Sequence, residues 1–225
     1  MPEAGALLRR VVLADRRLTA SIDDAFARAA SRAGAAVTCR AGCTACCIGP
    51  FDVSALDALR LRIGLGSLLR DERERGEAVM RRAAQAWERM RGAFPGRAPV
   101  LAEDDLRRER FFAAFAGEPC PALEPREGTC ALYAYRPLSC RAEGLPARYG
   151  DTVVDACPLN FVGAPEKAGE EAAVDVDPGD LEGALLGAMA AGGLGYGDTV
   201  VAVALHPSAS GLDGVDKLAE KENIY

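Results

Sequence analysis

The sequence predicts a mainly α-helical protein with small irregular and β elements, in which a helical scaffold surrounds a loop-rich, cysteine-bearing unit. Three observations support this prediction. Apolar residues recur at three- and four-residue steps through most of the first 115 residues. The stretch 119–165 lacks that period and is rich in Pro, Gly and Cys. Hydrophobic residues make up 49% of the 225, which is enough to bury a core.

The first two helices are predicted from apolar spacing and capping residues. The first should span Ala4 to Ala33, because its apolar residues face one side and a glycine follows it. The second should begin near Ser54, since Ser54 and Asp57 have the spacing of a capping box. It should weaken at Gly64 and Gly66, because glycine is a poor helix former.

The remaining elements are shorter or less regular. A third helix is expected over about residues 68–94, ending at a Pro-Gly pair, and a fourth over about 103–115. Later in the chain we expect a short strand at Val153 and Val154, a helix from Leu181 to Ala191 and a strand from Thr199 to Leu205. The alternating residues 174–177 indicate a polar strand face or loop rather than a calcium site, because no calcium-loop pattern accompanies them.

Charge separates the chain into two regions. Residues 1–165 are predicted to form a helical cysteine-cluster domain, and residues 166–225 an acidic extension that packs on it. Residues 60–110 hold 13 arginines against nine acidic residues, whereas 151–225 hold three lysines against 14. The arginines alternate with glutamates, as over 71–75, which is typical of a solvated helix face. Nucleic-acid binding is therefore not expected.

Cysteine usage and hydropathy indicate the compartment. Eight cysteines in 225 residues are too few for a disulfide scaffold, and residues 1–17 carry charges throughout rather than the apolar run of a signal peptide. No stretch approaches the ~18–20 consecutive apolar residues of a membrane span. We therefore expect a cytoplasmic protein with reduced thiols and no membrane partner.

Four of the eight cysteines fall within nine residues, at Cys39, Cys43, Cys46 and Cys47. Thiolates bind zinc and iron, and a short loop can present several of them at little ordering cost, so the cluster predicts metal binding. Neighbouring side chains usually diverge. We therefore expect either that Cys46 and Cys47 bind two different metals, or that one of them binds a metal while the other packs in the interior. The first three also have the spacing of radical S-adenosylmethionine enzymes, but no βα-barrel pattern accompanies them.

The other four cysteines occur in a characteristic set of short motifs. The segments are Cys120-Pro-Ala-Leu, Cys130-Ala-Leu-Tyr, Arg136-Pro-Leu-Ser-Cys140-Arg141 and a final Cys157. Together with the first loop, they resemble the zinc- or iron-chelating cysteine-cluster family, the YkgJ-type proteins. The resemblance spans residues 39–159 and includes every cysteine.

The resemblance implies that some or all of the eight cysteines bind metal, and it leaves the reaction open. Flagellin lysine methylases are similar in carrying such a cluster and hold an iron-sulfur centre. That similarity leaves room for an enzyme, and for a protein or peptide substrate, without assigning catalytic residues here. The sequence shows no other feature in common with those enzymes.

Charged and aromatic residues near the cysteines suggest supporting roles. Arg136 and Arg141 could donate to thiolate sulfur or bind an anionic substrate, because a buried four-thiolate site carries negative charge. They could equally pair with Glu143 or Asp155 at the surface. Two tyrosines are expected to pack over the site rather than act in catalysis; they are Tyr133 and Tyr135.

The single histidine, His206, excludes a multi-histidine metal site and lies far from the cysteines in sequence. Any open coordination position must therefore come from the absence of a cysteine ligand or from a carboxylate.

Three classes of function remain. The one we favour is a protein that holds iron, as an iron-sulfur centre, for redox or an unidentified modification reaction. The second is a structural zinc module or interaction platform without catalysis, since closed zinc sites do no chemistry. The third is a thiol switch using Cys46 and Cys47 or another pair, which is disfavoured because no Cys-x-x-Cys opens a helix after a strand.

Overall fold

The structure is a computed structural model that describes residues 2–195, 197–208, 217, 219–220 and 224. It is 54% helical, which confirms the mainly α prediction. The α-helices in this part of the chain are α1 (Pro2–Ala33), α2 (Ala55–Asp71), α3 (Arg73–Met90), α4 (Asp105–Ala114), α5 (Leu138–Ala142), α6 (Glu166–Glu171), α7 (Leu181–Ala191) and α8 (Val201–Ala204).

The strands in the described residues are two or three residues long. They are β1 (Asp52–Val53), β2 (Gly96–Arg97), β3 (Val100–Leu101), β4 (Leu123–Glu124), β5 (Thr129–Cys130), β6 (Ala147–Tyr149), β7 (Thr152–Val154), β8 (Val174–Asp175) and β9 (Thr199–Val200). Antiparallel pairs join β1 to β9, β2 to β3 and β4 to β5. A three-stranded sheet has the order β7-β6-β8, in which β6 and β8 run parallel.

Several predicted boundaries are confirmed by the structure. Helix α1 ends before Gly34, whose φ is +55°. The side chain of Ser54 caps α2 by accepting a 3.2 Å hydrogen bond from Asp57 N. Helix α7 has the bounds expected from the sequence, and the strand expected at 153–154 is β7. Much of 209–225, at the end of the predicted acidic extension, lies outside the described residues.

The expected weakening of the second helix at its glycines is wrong. Helix α2 continues through Gly64 and Gly66 to Asp71, and the break before α3 falls at Glu72. At Gly64 a Cβ would lie 2.5 Å from the ring of Tyr135, so the glycine lets that ring lie directly against the helix backbone. Packing against the ring therefore replaces the helix propensity that glycine lacks.

The strand predicted from Thr199 to Leu205 is also wrong in its second half. It ends at Val200 and gives way to α8. Residues 200–205 are at most 3% exposed. A short run buried on every side has no period to separate strand from helix, so its environment decided the conformation.

The main hydrophobic core is built from residues of α1, α2, α3, α7 and α8. Ala122 and Leu132, from the cysteine-bearing stretch, belong to the same core. The loop-rich unit is thus seated on the first two long helices. Within the described residues, no helix is both long and apolar enough to cross a bilayer.

Candidate metal centre

The first cysteine loop connects α1 to β1 through tight turns. Cys43 N donates to Arg40 O at 3.0 Å, and Cys47 N donates to Thr44 O at 2.9 Å. A single 3-10 turn covers Ala45–Cys47. These turns keep the four thiols of the loop on one short, curved stretch of backbone.

Backbone hydrogen bonds fasten this loop to the second cysteine segment. Cys120 N donates to Cys47 O at 2.9 Å, and Gly49 N donates to Glu118 O at 2.6 Å. Cys130 follows on β5, where it pairs with Leu123 of β4. The fold thus places the thiols of Cys47, Cys120 and Cys130 in one region, although they are far apart in sequence.

Cys140 lies on the short helix α5, which Arg141 holds in place. Arg141 is 5% exposed. Its Nε donates to Arg136 O at 3.0 Å, its Nη2 donates to Ala134 O at 2.5 Å, and its Nη1 pairs with Asp23 of α1. The motif arginine therefore ties α5 to the preceding turn and to α1.

Seven of the eight cysteines line one cavity of about 770 Å³. They are Cys39, Cys43, Cys46, Cys47, Cys120, Cys130 and Cys140. Asp23 and Glu143 line the same cavity, whereas Cys157 and His206 are not among its described lining residues. The structure therefore brings together nearly all of the predicted metal ligands.

Burial makes the free thiolate form of the inner cysteines unfavourable. It raises the pKa of Cys120 to about 11 and also raises the pKa values of Cys130 and Cys140. The charges of Cys120, Asp57 and Cys130 add to the raised pKa of Cys140. A cation in the cavity would favour the thiolates that these surroundings otherwise oppose.

The side chains of Cys46 and Cys47 interact with each other by hydrogen bonding, and the expectation that they serve two metals, or that one binds a metal while the other packs, stays a prediction. That bond is the main cause of a raised pKa at Cys46 and a lowered pKa at Cys47. The 3-10 turn explains the contact, since it brings successive side chains closer than an extended chain does. The two thiols still have unequal surroundings.

The two arginines that flank Cys140 contact Asp23 rather than Glu143 or Asp155. Arg136 lies 3.8 Å from Asp23 and bonds the carbonyls of Tyr133 and Cys140, at 3.1 and 3.4 Å. Neither guanidinium has a described hydrogen bond to a sulfur atom. A hydrogen bond from Arg136 or Arg141 to a metal-bound thiolate therefore stays a prediction.

The two tyrosines differ in position. Tyr133 is 63% exposed, and Arg136 Cζ lies 3.8 Å from the centre of its ring. Tyr135 is partly buried against the main core. The expectation that both pack over the site as core residues is therefore wrong for Tyr133, which stands at the cavity rim.

Sequence reasoning missed Asn160, which is 5% exposed. Its Nδ2 donates to Gly144 O at 2.6 Å and lies 3.4 Å from Cys39 Sγ, and its Oδ1 accepts from Thr38 N at 2.8 Å. Asn160 thus orients the first thiol of the loop. Its position three residues after Cys157 is the one feature of the sequence that places Asn160 near the cysteines.

The donor set suits zinc or iron. Both bind thiolate, and the cavity offers seven thiols with two carboxylates nearby. Within the described part of the chain, no three Cys, His, Asp or Glu side chains already stand as ligands around one point.

Comparison with known families gives one match. Residues 38–158, more than half of the chain, match the family model CxxCxxCC, described as a putative zinc- or iron-chelating domain. Searches of curated proteins and of solved structures gave no match. The matched range holds all eight cysteines and the turns that join the two cysteine segments.

Proposed function

The chain belongs to the CxxCxxCC family of zinc- or iron-chelating domains, and on that basis we propose that its cysteines hold iron as an iron-sulfur centre. The centre would serve redox chemistry or a modification reaction, since bound iron-sulfur supplies one-electron transfer. The observation that carries the proposal is that seven thiols line one cavity. One cubane cluster needs four thiolates, so three remain beside it.

Four of the thiols form the inner set: Cys47, Cys120, Cys130 and Cys140. The charges of Cys120, Cys130 and Cys140 all act on the thiol of Cys47, which supports their closeness. Three of the four come from the motifs of the second segment, and the fourth, Cys47, is bonded to that segment through its carbonyl. We propose that this inner set holds the main centre.

The remaining thiols on the cavity form the outer set: Cys39, Cys43 and Cys46. The charges of Cys47 and Glu143 both raise the pKa of Cys46. Glu143 is thus placed to be the carboxylate that an open coordination position would need. We propose that the outer set holds a second ion or supports chemistry beside the first centre.

A zinc module is the second candidate, because the family includes zinc among its metals. Eight cysteines could close two four-thiolate zinc sites. The position of Cys157 disfavours two such sites in this cavity, since only seven of the eight cysteines line it. Structural zinc sites closed by four thiolates would also not need a cavity of this volume.

Elemental and sulfide analysis of protein prepared without oxygen tests the proposal. We expect a coloured protein with iron and acid-labile sulfide in comparable amounts, bleached by air. A colourless protein with two tightly held zinc ions per chain and no sulfide would establish the zinc module instead.

Single serine variants test the two sets. C47S should remove the main centre, whereas C46S should reduce the metal content less, because it changes the outer set alone. Equal and complete loss in both variants would contradict the division of the thiols.

We further propose a cytoplasmic setting, which would keep eight unpaired thiols reduced. The partly exposed rim at Tyr133 and the size of the cavity would admit a protein or peptide side chain. Exposure of the purified protein to a mild disulfide oxidant tests the setting. Loss of metal under oxidising conditions would support a reducing compartment.

A further inference from the structure

A cluster of buried charges lies where α1 and α2 meet the segment that carries α5. Asp15 on α1 and Asp57 and Arg60 on α2 are each at most 6% exposed. Arg60 Nε donates to Asp15 Oδ2 at 2.9 Å, and Arg60 Nη1 pairs with Asp57. Burying three charges is costly, and a hydrophobic cluster of the same volume often stabilises a fold as well or better. The cluster therefore suggests a role beyond stability.

Both members on α2 reach across to the segment that carries Cys140. The backbone N–H of Leu138 donates to Asp57 Oδ1 at 3.1 Å. Arg60 Nη1 also donates to Arg136 O at 3.2 Å. Leu138 is the first residue of α5, and Pro137 before it provides no side-chain cap. Asp57 thus supplies the acceptor that the first turn of this helix lacks.

These contacts orient α5 and with it Cys140, which lies two residues beyond Leu138. Helix α5 has only five residues, so it cannot set its own orientation by internal hydrogen bonds. Asp57 accepts from the first N–H of α5, and Arg60 donates to the carbonyl of Arg136 just before the helix. Arg141 donates to the same carbonyl. The charge of Asp57 also acts on the Cys140 thiol, which places the carboxylate near the sulfur.

We propose that Asp57, held by Arg60 and Asp15, is a positioning residue that directs the thiol of Cys140 toward the metal. This inference rests on the proposed function, because it takes Cys140 as a ligand of the inner set. It assigns a metal-related role to residues of the helical scaffold, and Asp15 and Asp57 of that scaffold do not line the cavity.

The test is the rate at which a chelator removes the native metal from anaerobically prepared full-length protein. The variants are D57A, D57N, D15N and M90A. Met90 is buried in a separate core cluster with Phe94 and Phe111, so M90A serves as a control for lowered stability alone. D15N disturbs the same charge cluster but leaves the bond from Leu138 N to Asp57 in place.

We expect D57A to release metal at least tenfold faster than the wild type. D57N should release metal at a rate between those of D57A and the wild type. An asparagine oxygen can still accept from Leu138 N, but it cannot form an ion pair with Arg60. D15N should have a smaller effect than D57A, and M90A should melt at a lower temperature yet release metal at the wild-type rate. If D57A does not fold, D57N decides: release several-fold faster than from M90A supports the role, and release equal to that from M90A overturns it.

A double variant separates positioning of Cys140 from a general effect. In a C140S background, D57A should add nothing to the release rate, because both changes act through one ligand. Additive effects would overturn the proposal, as would wild-type release from folded D57A. Wild-type protein without bound metal would instead overturn the proposed function, so the two failures are distinguishable.

Discussion

At Gly144 the backbone comes close to the predicted ligand Cys39. The φ of Gly144 is +109°, and a Cβ on it would lie 2.8 Å from Cys39 Sγ and 3.4 Å from Asn160 Nδ2. A side chain at this position would therefore displace either the sulfur or the amide that orients it. The position of the Cys39 thiol depends on one residue having no side chain.

We predict that G144A loses metal from the outer set and is destabilised by more than backbone strain alone, which costs about 1–2 kcal/mol. The matched control is G150A, since Gly150 also has a positive φ, +59°, but nothing within 4 Å of its Cβ position. Metal content and urea unfolding measure the two effects. G144A protein with the metal content of G150A would show that the close approach to Cys39 does not matter.

At the level of helices and strands, local sequence signals predicted those boundaries that local interactions determine. Ser54 caps α2 as its spacing to Asp57 indicated, and the bounds of α7 follow from its apolar run. The continuation of α2 through Gly64 depends on Tyr135, and α8 depends on burial from all sides. These contacts are made with residues distant in sequence. The local sequence around α2 or α8 therefore does not show where the helix ends or which conformation forms.

The same distinction applies to the metal centre. The cysteines were identifiable because their type and spacing are unusual, and the structure gathers seven of them. The partner of Arg141 was not identifiable, because Asp23 lies on α1, 118 residues away. Asn160 and the ionic cluster around Arg60 act through contacts across the fold, which residue identity alone does not reveal.

Helices α2 and α7 are joined by a partly buried carboxylate whose protonation should be visible in stability. The Ser54 hydroxyl donates to Glu182 Oε1 at 2.8 Å. Burial chiefly, and then the charge of Asp57, raises the pKa of Glu182. The folded protein therefore holds this proton to a higher pH than the unfolded chain does, and the resulting contribution to stability is lost as the pH rises through the folded-state pKa.

We predict that E182Q is more stable than the wild type at neutral pH, because glutamine keeps an acceptor for Ser54 without a partly buried charge. The difference should vanish below the ordinary pKa of glutamate, where the side chain is neutral in both states. Chemical unfolding at several pH values measures it. A constant difference at all pH values would show that charge is not the cause.

Across the whole molecule, stability should depend on metal, because the region 119–165 has only short elements of its own. Metal at a thousandfold excess over its dissociation constant contributes about 4 kcal/mol, which corresponds to roughly 10 °C for a chain of this size. We predict that chelation under reducing conditions lowers the melting temperature by that order and exposes 119–165 to proteases. An unchanged melt after proven metal removal would contradict this prediction, and re-addition of metal is the control.

The hydrogen bond from Cys120 N to Cys47 O joins stretches of chain that a ribosome produces at different times. At about 5–20 residues per second, the second segment begins to emerge roughly 4–15 seconds after the first loop is complete. During that interval the nascent chain displays Cys47 without its partners from the inner set. Because Cys140 comes later still, the main centre can be assembled only once residue 140 has been translated.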